Sequence, residues 1–126
     1  MKTIISTTKA PAAIGPYNQA VMMNGMLYTS GQIPLVPETG KMAEPDITIQ
    51  TKQVFQNLKN ILNEAGFELD DIVKTTVFLS DMSDFAPFNE VYKTFFTSEN
   101  APARSCVAVK ELPMKALVEI ECVALK

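Results

Sequence analysis

The 126-residue chain predicts an α+β domain, a single mixed β-sheet with two α-helices on one face. Three observations carry that expectation. An Asn24-Gly25 pair separates two short apolar runs, two amphipathic helical stretches flank one β-branched run, and the chain closes on two alternating apolar stretches. The order is therefore hairpin, helix, strand, helix, strand, strand, and one sheet face is the economical place to bury both helical stripes. The length fits one domain over 1–126, with little room for accessory modules.

The opening segment through Ala10-Pro11-Ala12-Ala13-Ile14-Gly15-Pro16 is rich in small residues and proline, and reads as an ordered loop behind a short strand. Gln19 to Met23 and Met26 to Gln32 form the two arms of a hairpin, because Asn-Gly supplies the positive dihedrals of a two-residue turn. From Asp46 to Ala65, Ile47, Val54, Phe55, Leu58, Ile61, Leu62 and Ala65 recur at helical spacing, and Gly66 supplies the stop. Ile72 to Ser80 is β-branched and apolar enough for a central strand. A second helix starts near Asp84 with Phe85, Phe88, Val91, Tyr92, Phe95 and Phe96 on its inner side. Pro87 is tolerated there because it falls in the first turn, where no intrahelical donor is needed. Two strands end the chain, Arg104 to Lys110 and Ala116 to Leu125, joined through Leu112-Pro113-Met114; their pairing register is left open by the sequence.

Composition removes several classes of function. A net charge of −3 and a pI near 4.9 lack the basic stripe of a nucleic-acid binder. With no histidine and no CxxC spacing, there is nothing from which to build a closed zinc site, and histidine-based acid–base and nucleophile schemes are gone. Cys106 and Cys122 lie in apolar strand-like segments with no secretory signal ahead of them, and read as reduced, buried thiols. No stretch is long enough to span a membrane, so a cytoplasmic protein is expected.

The chain has one arginine, Arg104, among its 11 basic residues. A planar guanidinium grips a carboxylate or phosphate through two parallel hydrogen bonds, which a lysine point charge does not do. Arg104 is either the anchor of a small-anion site or half of a surface ion pair. Alternation in the last strand gives Val118, Ile120, Cys122 and Ala124 to the helices and sends Leu117, Glu119, Glu121 and Val123 outward. Val107 and Val109 of the preceding strand make the same choice, which sends Arg104, Cys106 and Ala108 to the outer face with the two glutamates, beside Phe78. A face that is half apolar and half charged marks association, so a homo-oligomer with charged residues at inter-subunit clefts is expected.

Five segments in order, Ala12-Ala13-Ile14-Gly15-Pro16-Tyr17, Thr29-Ser30-Gly31-Gln32-Ile33-Pro34, Val73-Lys74-Thr75-Thr76-Val77-Phe78, Pro102-Ala103-Arg104-Ser105-Cys106-Val107 and Val118-Glu119-Ile120-Glu121, resemble the RidA (reactive intermediate deaminase A, YjgF) family nearly end to end. The resemblance implies a chorismate-mutase-like fold and a homotrimer whose sheets form a central barrel with three inter-subunit clefts. It also implies hydrolysis of 2-imino acids such as 2-iminobutanoate and 2-iminopropanoate, with their enamine tautomers, to 2-oxo acids and ammonia. These imines are released by pyridoxal-phosphate enzymes, and the hydrolysis itself needs no cofactor or metal. By matching position, Arg104 would bind the substrate carboxylate and Glu119 would direct the attacking water. Tyr17, Gly31, Asn89 and the backbone of Cys106 would line the pocket. Without the resemblance, Gly31 reads equally as a strand bulge, Tyr17 as a loop anchor and Asn89 as an exposed helix residue. Cys106 is not a nucleophile, since no histidine is present to lower its pKa.

The chain departs from the family pattern at Glu111, where an arginine is frequent, and at Asn18, where a serine is. Both departures bear on the cleft rim and hence on the preferred substrate side chain. Two other roles use the same surfaces. A trimer that senses small carboxylates needs Arg104 but not Glu119 as a base, and a ribonuclease or translation inhibitor fits poorly with an acidic chain lacking histidine.

Overall fold

The computed structural model describes residues 1–126. Strands β1 (Thr3–Ile5), β2 (Ala20–Met23) and β3 (Met26–Thr29) open the chain, followed by a two-stranded ribbon of β4 (Leu35–Val36) and β5 (Lys41–Met42). Helix α1 (Ile47–Glu64), β6 (Ile72–Leu79), α2 (Phe85–Tyr92), β7 (Ala103–Ala108) and β8 (Val118–Leu125) complete it. The main sheet runs β1-β2-β3-β8-β6-β7. All its neighbours are antiparallel except β6 and β7, which are parallel and joined by the crossover that holds α2. The last two strands are thus separated by β6. The sheet is mixed, as expected, and no helix is long and apolar enough to cross a membrane.

Each end of α1 has a local cause. The Asp46 carboxylate accepts from the Ile49 N–H at 2.9 Å and caps the first turn. At the other end Gly66 takes φ 83°, its N–H reaches the Asn63 carbonyl, and the Phe67 N–H reaches that of Leu62. This closing pair of bonds satisfies carbonyls that the helix cannot. The Asn24-Gly25 turn has φ of 53° and 78°, the left-handed pair expected of it.

One core lies between the helices and the sheet. Val54, Phe55, Leu58, Ile61 and Leu62 of α1 and Phe88 and Tyr92 of α2 pack with Leu27, Val77, Leu79, Val118, Ile120, Cys122 and Ala124. Both helices therefore cover the same face. Helix α2 is shorter than its aromatic spacing suggests, because the Thr94 hydroxyl donates to the Val91 carbonyl at 2.6 Å and tight turns follow. Phe95 and Phe96 still reach the core from beyond the helix end.

Three polar side chains of α1 are buried. Asn57 donates to the carbonyls of Ile33 and Leu35, while Gln50 donates to that of Ala43 and accepts from the Leu117 N–H. They fasten the loop that carries the β4–β5 ribbon, an element the sequence reading did not anticipate because each strand has two residues. The third, Thr51, has a fully buried hydroxyl with no partner.

Candidate functional site

The outer sheet face follows from the register. Phe78 pairs with Glu119 and Val107, Thr76 with Glu121 and Ser105, and Tyr28 with Val123, so these side chains share the face away from the helices. Ile4, Met23, Tyr28, Val107 and Leu125 are all exposed there, and the half-apolar face expected for association is present.

Strand β7 corrects the sequence reading. Arg104 pairs with Thr75 and Cys106 with Val77, both fully buried beneath the helices, so Arg104, Cys106 and Ala108 face the helices and Val107 faces out. The strand runs one residue out of phase with the expected alternation. Its physical reason is that both faces of β7 carry small or apolar residues, while the helix-side neighbour of Arg104 is an aromatic surface that accepts a cation. The guanidinium lies 4.6 Å from the Tyr92 ring centroid and 5.5 Å from that of Phe85. Its Nη1 donates to Asn89 Oδ1 at 2.7 Å.

Arg104 belongs to no ion pair; the one salt bridge in the chain joins Lys93 to Glu90. The surface-pair alternative therefore falls. Arg104 instead borders an open cavity of about 420 Å³ with Asn89, Tyr92, Phe96 and Pro102. Phe85, Asn89 and Tyr92 are spaced by four and three, one helical face, which is how the crossover helix presents all three to the same guanidinium. That spacing was visible in the sequence, and it makes Asn89 a partner of Arg104 rather than an exposed helix residue. Tyr92 is the residue the sequence reading took only for core. Its hydroxyl is 2.7 Å from that of Thr75, and burial pushes its pKa up against the opposing effects of that hydrogen bond and of Arg104.

Cys106 is half-buried rather than buried, and burial raises its thiol pKa against the pull of Arg104. Cys122 is buried and pushed up to about 11, mainly by desolvation. Both thiols are free. The backbone of Cys106 is at the sheet edge. Because Val109 N–H donates to the Leu79 carbonyl, alternation directs the odd residues of β7 to β6 and leaves the N–H and C=O of Arg104 and Cys106 pointing away from the sheet.

Glu119 and Gly31 meet on the outer side of the sheet, and Tyr17 lies apart from them in the loop before β2. The Glu119 carboxyl is half-buried, and desolvation, with a smaller contribution from Glu121, lifts its pKa above the ordinary value. Gly31 lies against it; a β-carbon at 31 would sit 2.8 Å from Glu119 Cδ. Two backbone bonds between Gln32 and Ile120 hold that contact in place. Gly31 is thus a close-approach glycine and not a bulge with positive φ. Tyr17 follows a turn at Gly15, φ 117°, and lines a cavity of about 310 Å³ with Asn18, Tyr28 and Ser30. The buried Gln19 shapes the loop before it, donating to the carbonyls of Thr7, Ala10 and Pro11 and accepting from Thr7 N–H.

Within one chain, Arg104 and Glu119 do not meet. They are on opposite sheet faces, two strands apart and three residues apart along β6, roughly 10 Å across and roughly 10 Å along.

Residues 7–126 match the family described as Endoribonuclease L-PSP. A curated relative from Salmonella typhimurium, named 2-iminobutanoate/2-iminopropanoate deaminase, is 51% identical over 128 residues, covering 100% of this chain and 99% of its own. A Yersinia pestis structure, described as a protein of unknown function of the conserved Rid family, superposes with a TM-score of 0.97 at 48% identity over 100% of both chains. The E. coli TdcF structure with bound serine superposes with a TM-score of 0.92 at 46% identity, covering 98% of each chain.

Proposed function

The chain belongs to the Endoribonuclease L-PSP family, with Rid proteins among its structural neighbours, and from that premise we propose that it hydrolyses 2-imino acids to 2-oxo acids and ammonia. The observation that carries this reading is the full-length similarity, at 51% identity, to a relative named for that activity. The substrates are 2-iminobutanoate and 2-iminopropanoate, with their enamine tautomers. Arg104 grips the carboxylate; a guanidinium free of any ion pair and aimed by Asn89 is suited to that work.

Glu119 takes a proton from water as its oxygen bonds to C2 of the protonated imine. The same proton then goes to the nitrogen of the resulting carbinolamine; as the C–N bond breaks and ammonia leaves with the bonding pair, the hydroxyl oxygen forms the second C–O bond and gives its proton to the re-ionised Glu119, which releases it to solvent. A carboxyl lifted by burial is closer to the range where it both accepts and returns a proton. Imines hydrolyse unaided, so orientation and one carboxylate, supplying roughly a few kcal/mol, suffice.

Since Arg104 and Glu119 project from opposite faces, one substrate meets both only where two copies of the chain come together. The apolar outer face supports assembly, and the trimer implied by the family resemblance supplies three such clefts. Tyr17, Gly31 and the free backbone N–H of Cys106 complete the lining.

The test couples the purified protein to a threonine dehydratase and follows 2-oxobutanoate and ammonia. Release faster than spontaneous imine decay is expected; no acceleration overturns the reading. A second reading, a trimer that senses small carboxylates, draws on the serine bound to the E. coli TdcF structure. It predicts ligand binding with no acceleration.

A further inference from the structure

We propose that Tyr92 is a positioning residue for Arg104: its ring, pinned by Thr75, is the surface on which the guanidinium is held flat and aimed into the cavity. This rests on the reading of Arg104 as the carboxylate clamp. Three contacts converge. The Tyr92 hydroxyl and the Thr75 hydroxyl are 2.7 Å apart in a buried setting, Arg104 Cζ stands 4.6 Å from the Tyr92 ring centroid, and Thr75 is the residue of β6 that pairs with Arg104 in β7. Strand, ring and guanidinium therefore form a closed triangle. Neither the ring nor the guanidinium can shift without disturbing the other.

An arginine side chain has four rotatable bonds and binds a carboxylate through two parallel hydrogen bonds only when its plane is fixed. Asn89 fixes one nitrogen of that plane. A second restraint perpendicular to the plane is needed to stop rotation about the Asn89 bond, and an aromatic face beneath the cation supplies it. Tyr92 is itself held by neighbouring rings, with centroids of Phe88 and Phe96 at 5.6 and 5.0 Å. A phenylalanine would fill this place in the core equally well. The hydroxyl is what couples the ring to the strand under Arg104.

Because Arg104 is the only arginine, its side-chain Nε–Hε gives a single cross-peak in a ¹⁵N correlation spectrum, and a ring face beneath the cation displaces that proton upfield. The experiment records this peak and the affinity for 2-oxobutanoate in wild type, Tyr92→Phe, Thr75→Val and Tyr92→Leu. Wild type is expected to show the upfield peak. Tyr92→Phe and Thr75→Val retain most of the displacement, broaden the peak and weaken binding about threefold. Tyr92→Leu loses the displacement and weakens binding about tenfold. A wild-type peak at the free-arginine position, or a phenylalanine variant with unchanged peak width and affinity, overturns the proposal even if the leucine variant fails to fold. Wild-type protein that shows the upfield peak but binds no 2-oxo acid sinks the clamp role of Arg104, a result distinguishable from failure of the positioning contact.

Discussion

The α-carbon of Gly31 lies so close to Glu119 that a β-carbon there would be 2.8 Å from the carboxyl carbon. The contact is with the functional end of the side chain, so even a methyl group must push the carboxylate out of place. Gly31→Ala is therefore expected to fold and assemble normally yet lose at least tenfold in imine hydrolysis, while 2-oxo acid binding through Arg104 changes little. Equal loss of both, measured by coupled assay and calorimetry, would show a general collapse of the cleft instead.

Arg104→Lys keeps the charge and loses the planar fork. The change removes one or more charge-assisted hydrogen bonds, each worth roughly 1.5–3 kcal/mol, so kcat/KM should fall by about 10- to 100-fold or more. Circular dichroism should be unaltered, since Arg104 makes no salt bridge that the fold depends on. Normal turnover by the lysine variant rules out the clamp.

Glu119→Gln separates enzyme from sensor. Loss of the base should slow hydrolysis strongly and leave 2-oxobutanoate binding nearly intact. The pH dependence follows from burial. Glu119 must be ionised to act, and its pKa is raised above 4.5, so the acid limb of kcat/KM should lie above 4.5 and vanish in the variant. The stability sign is the reverse. A raised carboxyl favours the folded state fully below its unfolded value and loses that contribution as pH climbs through the folded one, so the glutamine variant should be the more stable of the two at neutral pH.

Assembly is tested at Val107, which is 45% exposed on the outer face. Wild type should sediment at about three times the 13.9 kDa chain mass. Val107→Asp places a charge in the association face and should shift the protein toward monomer and abolish hydrolysis, because Arg104 and Glu119 then lack each other. A monomeric wild type at micromolar concentration would contradict the shared cleft.

Thr51 offers a stabilising change. Its hydroxyl is fully buried without a partner, and Thr51→Val replaces it with a methyl at nearly equal helix propensity. Stability should rise by roughly 1 kcal/mol, or roughly 3–6 °C in Tm by scanning calorimetry, with activity unchanged.

The hairpin, α1 and the central strand were legible because each has a local cause: the Asn24-Gly25 turn, the Asp46 cap with the Gly66 stop, and the β-branched run from Ile72. The orientation of β7 was not. Alternation assigns faces only where one side is apolar and the other polar, and β7 has Val107 exposed on the outer face and Arg104 on the side facing the helices. Arg104 stands out as the only arginine, whereas the roles of Glu119, Tyr17, Gly31 and Asn89 rest on family resemblance, and Asn89 gains support from its spacing from Phe85 and Tyr92. The role of Gln50 and Asn57 was hidden because their partners are backbone carbonyls and amides distant in sequence.

Those two amides have a practical consequence for labelling. The loop between Gly31 and Asp46 is tied to α1 near its ends, at Ile33, Leu35 and Ala43, while the ribbon tip at Glu38, Thr39 and Gly40 is exposed. A fluorophore attached at Glu38 or Thr39 would therefore sit beyond the points at which α1 holds this loop, giving a reporter position on exposed backbone.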